Sequence, residues 1–377
     1  MSIPEVIRLT QRLISINTIN PPGNEALAAK VAGDLLSGNG FHVDYIDYGE
    51  NRQHLVAWKG LSAAASPVVF TGHFDTVPLG AVDWTAGPFD GEIRDGKIFG
   101  RGSSDMKGGL AAMVIASIQA FDLGTPVGGV MLVLTAGEET GCQGAKHLTE
   151  NYSFPAKPSG IIVGEPTANV PATGHKGGLY LRLTTAGITA HSSMPHLGDN
   201  AIYKAARAIL KAERFRFYEK KNPLLGFPTL NVGKMEGGIN LNSVPDHAEF
   251  TIDMRTTSRS NHARLLERLE KNLGSEVTIE KLVDLQAVSS DESDPFVLMV
   301  YASCGIQPAT AGFPKSLPYL TDGAVLQPAF KGVPTLILGP GLPQMAHQTD
   351  EHCLTDDILK AVEIYTNIIL NNNRYDR

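Results

Sequence analysis

Four short apolar runs in this chain end alike, with a histidine or an acid at or just past the point where a strand must stop. Pro67-Val68-Val69-Phe70 leads into Thr71-Gly72-His73-Phe74-Asp75, and Val130–Thr135 into Ala136-Gly137-Glu138-Glu139. Gly160–Val163 runs into Gly164-Glu165-Pro166-Thr167, and the run 335–338 into a glycine-rich turn and then His347. Runs this short, rich in branched residues and bounded by glycine, read as buried strands. Further strands are expected at 41–47 and 54–59, and helices at 4–17, 25–38 and 107–121. That alternation specifies an α/β fold with a doubly wound, mostly parallel sheet. In such a sheet the carboxyl ends of the strands converge on one edge.

The residues at those ends have the chemistry of a metal centre. His73 is a ligand by its imidazole, and Asp75 can orient the ring through its other nitrogen. Asp105 sits in Gly100-Arg101-Gly102-Ser103-Ser104-Asp105-Met106-Lys107-Gly108-Gly109, a glycine-rich turn that opens a helix. Taken singly, each motif has a plainer reading. A His-x-Asp is more often a structural hydrogen bond, a Glu-Glu pair a solvated turn, and a glycine-rich turn can cradle a phosphate. Convergence of His73, Asp105, Glu139, Glu165 and His347 on one edge separates them from those readings. The adjacent Glu138 and Glu139 point in different directions at a strand end, so one can bind metal while the other faces substrate. Charge favours two cations: four positive charges meet the carboxylates of Asp105, Glu139 and Glu165, and one shared hydroxide completes neutrality. One histidine and two carboxylates per ion, with Asp105 shared, suit zinc, with cobalt or manganese as alternatives.

In these motifs, and over nearly its whole length, the chain resembles the dinuclear zinc aminoacylase and carboxypeptidase family, metallopeptidase family twenty. That family includes acetylornithine deacetylase, succinyl-diaminopimelate desuccinylase and carboxypeptidase G. The resemblance implies that Asp105 bridges two metals, that His73 and Glu165 complete one and Glu139 and His347 the other, and that Glu138 is the general base. It also implies a cis peptide between Asp105 and Met106. The stretches Gly174-His175-Lys176-Gly177 and Ala346-His347-Gln348-Thr349-Asp350-Glu351 look most like the acetylornithine deacetylase branch. The implied reaction is hydrolysis of an N-acyl amino acid; a desuccinylase, a dipeptidase or a silent binding protein are the alternatives.

From Lys176 the pattern changes. Strands at 178–186, 229–236, 248–255 and 277–283 and helices at 200–211 and 261–273 follow the order of a ferredoxin-like unit. It reads as an insertion over 176–291, splitting a catalytic domain into 1–175 and 292–377, because Glu165 and His347 must return to one edge. The resemblance implies that it is a lid and the contact of a homodimer. It also implies that His191, in Gly187-Ile188-Thr189-Ala190-His191-Ser192, donates to the oxyanion, and that Asn242 and Arg255 bind the substrate carboxylate. Arg suits that task through its planar fork, although a strand-end ion pair is an equal reading of Arg255 from residue type alone. His196 reads as structural.

Composition narrows the class. A chain of 377 residues suffices for two domains. A net charge of −7 argues against nucleic acid or an anionic membrane as partner. No run of about 18 apolar residues is evident, so no membrane span is expected. The start shows no export segment, and Ser2 and Glu5 look like a paired helix cap. Cys142, Cys304 and Cys353 are scattered and odd in number, which fits packing in a reducing compartment and a cytoplasmic enzyme.

Overall fold

The computed structural model describes residues 3–63, 65–307 and 315–372. It divides into two compact units, one of Met1–Gly174, Ser289–Lys315 and Thr321–Arg377, the other of His175–Val288 and Ser316–Leu320.

The first unit is built on a six-stranded sheet in the order His42–Gly49, Arg52–Lys59, Val130–Thr135, Val68–His73, Gly160–Val163, Thr335–Ile337. The last four strands run parallel, with Val68 opposite both Val130 and Gly160, and Thr335 opposite Ile161. The first two form an antiparallel edge hairpin, Leu55 pairing with Leu134. Register places His73 beside Thr135, so the turns after both strands leave the sheet at the same edge. Val68–His73 and Val130–Thr135 are buried throughout, as parallel strands covered on both faces must be.

Helix Gly108–Leu123 packs against Glu5–Ile14 and Thr355–Asn371, its Leu110, Met113 and Val114 fully buried. With the turn before it, this helix is long and apolar enough to cross a membrane, where none was expected from sequence. It lies in the core, with 72% of its apolar window buried, and that accounts for its composition. Ser2 of the expected N-terminal cap lies outside the described residues; the helix itself begins at Glu5, after Pro4. It also stops at Ile14, three residues earlier than expected. The buried ammonium of Lys107 donates to the carbonyls of Leu13 at 2.9 Å and Ile16 at 2.8 Å.

The second unit has an antiparallel four-stranded sheet, ordered Thr229–Gly237, His247–Thr256, Gly177–Ala186, Val277–Leu285, with helices Ala201–Glu213 and His262–Leu273. This is the ferredoxin-like connectivity. Its strands alternate, Leu179, Leu181 and Leu183 packing with Phe250, Ile252 and Met254 in a separate core. Asn200 and Asn261 cap the two helices by accepting from Tyr203 N and Arg264 N.

Candidate metal centre

In the first unit, four of the side chains singled out by sequence meet around a fifth, Asp105. His73 Nε2 lies 3.2 Å from Asp105 Oδ1 and 3.4 Å from Glu165 Oε1. His347 Nε2 lies 3.4 Å from Asp105 Oδ2 and 3.3 Å from Glu139 Oε2. Two ligands about 2.0–2.1 Å from one tetrahedral ion stand about 3.3 Å apart. All four nitrogen–oxygen separations match that spacing. Asp105 offers one oxygen to each group, so the donors divide into His73, Asp105, Glu165 and Asp105, Glu139, His347. The donor set fits a pair of divalent cations.

Two carboxylates that are not in either group fix the turns that carry the donors. Asp75 accepts at Oδ1 from Gly137 N at 2.9 Å and Glu138 N at 3.1 Å, and at Oδ2 from Glu139 N at 3.1 Å and Asn20 Nδ2 at 2.9 Å. The sequence suggested that Asp75 holds the His73 ring by its carboxylate. In the structure that oxygen is 3.6 Å from Nδ1, and the ring is held instead by the Asp75 main-chain carbonyl at 2.9 Å. The carboxylate is taken up by the exit turn of the neighbouring strand. Gly137 allows this with φ 82°; a Cβ there would stand 2.7 Å from the Tyr48 ring.

Glu351 does the same for the Asp105 turn. Oε1 accepts from Ser104 N at 2.8 Å and Asp105 N at 2.9 Å, and Oε2 from Gly102 N at 2.9 Å and Arg101 Nη1 at 2.7 Å. Both Glu351 and Arg101 are buried. The peptide between Asp105 and Met106 is cis, as the resemblance implied.

Among themselves these groups settle their charge by sharing protons. Burial pushes Asp105 up, but the hydrogen bonds from His347 and His73 outweigh it and leave its carboxyl below the usual range. Burial and the Asp105 charge push Glu165 up to about 8, and both raise Glu139. Hydrogen bonds to Asp105 and Glu139 drive His347 up to about 10. Crowded carboxylates that hold histidines in their charged form are what a cation would neutralise.

Glu138 is buried beside the cluster, and burial pushes its carboxyl well above the ordinary range, with Glu165, Asp322 and Glu139 adding and His73 opposing. Cys142 donates its S–H to Glu138 Oε1 at 3.4 Å, and Asp322 accepts from Thr135 Oγ1 at 2.5 Å. Sequence reading missed Glu351, Arg101 and Asp322. Glu351 stands four residues after His347, so proximity to a ligand was its one signal; Asp322 follows no strand and had none.

Three further candidates belong to the second unit. His191 is exposed on a loop bridged to Ser243, with Ser192 N donating to Asn242 O at 3.0 Å, so His191 and Asn242 lie on neighbouring segments. His191 Nδ1 accepts from Ser193 N at 3.1 Å, which leaves Nε2 as the N–H donor of a neutral ring. Arg255 pairs with Asp253 at 2.9 Å and lies over the Tyr180 ring at 5.1 Å. A substrate carboxylate would compete there with Asp253. His196 is exposed on the same loop as His191.

Residues 69–371 match the model of peptidase family M20/M25/M40. The chain is 31% identical to a probable succinyl-diaminopimelate desuccinylase of Staphylococcus epidermidis, over 98% of each chain. It is 30% identical to an acetylornithine deacetylase of Vibrio cholerae, over 97% of each. Among solved structures it is similar to the M20 family metallo-carboxypeptidase Sso-CP2 from Sulfolobus solfataricus, with a TM-score of 0.81 and 19% identity, covering 98% of this chain and 99% of that one.

Proposed function

Because the chain belongs to peptidase family M20/M25/M40, a family of amide-bond hydrolases, we propose that it is a two-metal deacylase of N-acyl amino acids. The observation that carries this reading is the placement of four donor pairs at 3.2–3.4 Å about the two oxygens of Asp105. His73, Asp105 and Glu165 would hold one ion and Asp105, Glu139 and His347 the other, with zinc the best match to the donors and cobalt or manganese next. When bound, the ions supply Lewis acidity, making water acidic near neutral pH and drawing charge from the acyl oxygen.

The protein's own groups do the rest. Glu138 takes a proton from the attacking water and returns it to the leaving nitrogen, so amide and water become acid and amine. Glu138 starts as the carboxylate, and its burial, which raises its affinity for a proton, suits a group that must hold that proton between the two transfers. Asp75 acts as a positioning residue, fixing Glu138 and Glu139 through their N–H groups. His191, with the N–H of its tautomer on Nε2, is suited to donate to the oxyanion, and Asn242 and Arg255 to receive the substrate carboxylate. A homodimer formed through the inserted unit, and a cytoplasmic setting for three free cysteines, belong to the same reading.

N-acetylornithine is the favoured substrate on the motifs around Lys176 and His347; the likeness to a desuccinylase supports N-succinyl-diaminopimelate as the second. Steady-state assay of the zinc-loaded protein on both compounds and on dipeptides tests this. Turnover on an N-acyl amino acid is expected, and Glu138→Gln should lower it about 10²–10⁴-fold with both ions retained. No turnover on any amide would contradict the reading.

A further inference from the structure

Glu138 also belongs to a third cluster that neither cation group uses. Its carboxylate, the Cys142 sulfur and the Asp322 carboxylate offer three donor atoms that all lie within 4.8 Å of one another, and all three residues are buried. The pair already in contact, Cys142 Sγ and Glu138 Oε1, is 3.4 Å apart. Oxygen at about 2.0 Å and sulfur at about 2.3 Å on one tetrahedral ion would stand about 3.5 Å apart. For three donors no farther apart than 4.8 Å, a point exists within about 2.8 Å of each, a reach that includes both bond lengths.

A further feature points to a ligand. Asp322 is 2% exposed, and while Thr135 fixes its Oδ2, its Oδ1 has no hydrogen-bond partner among the described residues. A buried carboxylate oxygen without a donor is costly and calls for a cation.

We propose that Glu138, Cys142 and Asp322 form a third cation site, selective for borderline and soft divalent ions such as zinc, cobalt or cadmium, and that filling it inhibits the enzyme by removing Glu138 from the reaction. The inhibition rests on the role given above to Glu138; the site itself does not. Binding releases the thiol proton, together with any proton held by the Glu138 or Asp322 carboxyl, and sets three negative ligands against two positive charges. A sulfur ligand disfavours magnesium and calcium, so excess of those ions leaves turnover unchanged.

Cobalt titration of the apoprotein, followed by equilibrium dialysis and near-ultraviolet absorption, tests the site. The first two equivalents should bind without a thiolate-to-cobalt charge-transfer band, since neither group contains sulfur. A third, weaker equivalent should bring the band, and turnover should fall as it fills. Cys142→Ser should abolish the band and weaken the third equivalent at least about tenfold, and Asp322→Asn should weaken it similarly, with the first two equivalents unchanged. Saturation at two equivalents, or a third without the band, overturns the site. A third equivalent with the band and undiminished turnover overturns the inhibition. Loss of the first two equivalents in wild-type protein would count against the two-metal reading instead.

Discussion

The two donor groups that share Asp105 differ in how firmly they are held. On one side His73 has a side chain 2% exposed, Glu165 is buried beside it, and the Asp75 carbonyl fixes the ring at 2.9 Å. On the other, the His347 side chain is 54% exposed on a loop that follows the turn Pro343–Met345, with a positive φ of 64°. The spacings to the carboxylates are nonetheless alike, 3.2 and 3.4 Å against 3.4 and 3.3 Å. Equal geometry with unequal restraint means that the His73 side is organised before an ion arrives. The His347 side orders part of its ligand set on binding and so gives up affinity. The two ions should therefore bind in sequence and leave in the reverse order.

The largest effect should come from Asp105→Asn, which removes the shared charge and erases the difference between the sides. Both ions should be lost on dialysis and turnover should fall to background. An Asp105→Asn protein that keeps one tightly bound zinc would show that one side stands without the bridge.

Glu351→Ala should be next, at about 3–5 kcal/mol of stability in urea unfolding, because it strands the buried Arg101 and three main-chain N–H groups. A loss below about 1 kcal/mol would mean that the Asp105 turn does not depend on this brace.

Single ligand removals test the asymmetry itself. His347→Ala should leave one equivalent of zinc bound nearly as tightly as in wild type. His73→Ala should weaken the first equivalent by more than about 100-fold, since it takes a ligand from the organised side. Equal losses would remove the distinction between the sides.

The smallest effect is that of pH. Asp105 and Glu139 hold the proton on His347 up to about 10, so below that value an ion must displace it. Affinity on the His347 side should therefore rise with pH as that proton is released, by at most about tenfold per unit and less steeply once an ion already holds Asp105. Calorimetry in buffers of different ionisation enthalpy measures that proton. A flat profile would show that His347 is neutral before binding.

Much of the centre was legible from sequence because every donor but His347 lies close behind its own strand or at a helix opening. His73, Glu139 and Glu165 lie within a few residues of buried parallel strands, and the register of those strands carries them to one edge. The alternating strands of the second unit were equally plain, since period-two burial of Leu179, Leu181 and Leu183 needs no distant partner to be read. What sequence did not reveal are the braces. Glu351 accepts from residues some 250 positions earlier, and the Asp75 carboxylate from a turn more than 60 positions later. Such bonds leave no local periodicity. The end of the first helix is braced in the same way, Lys107 from more than 90 residues away donating to Leu13 in its last turn and to Ile16 just beyond it.

Anomalous diffraction from crystals grown with zinc tests the paired centre most directly. Two peaks about 3.5–4 Å apart are expected, one on each side of the Asp105 carboxylate, with the His73 peak the more fully occupied. A single peak between His73 and His347, or zinc bound away from Asp105, would contradict it.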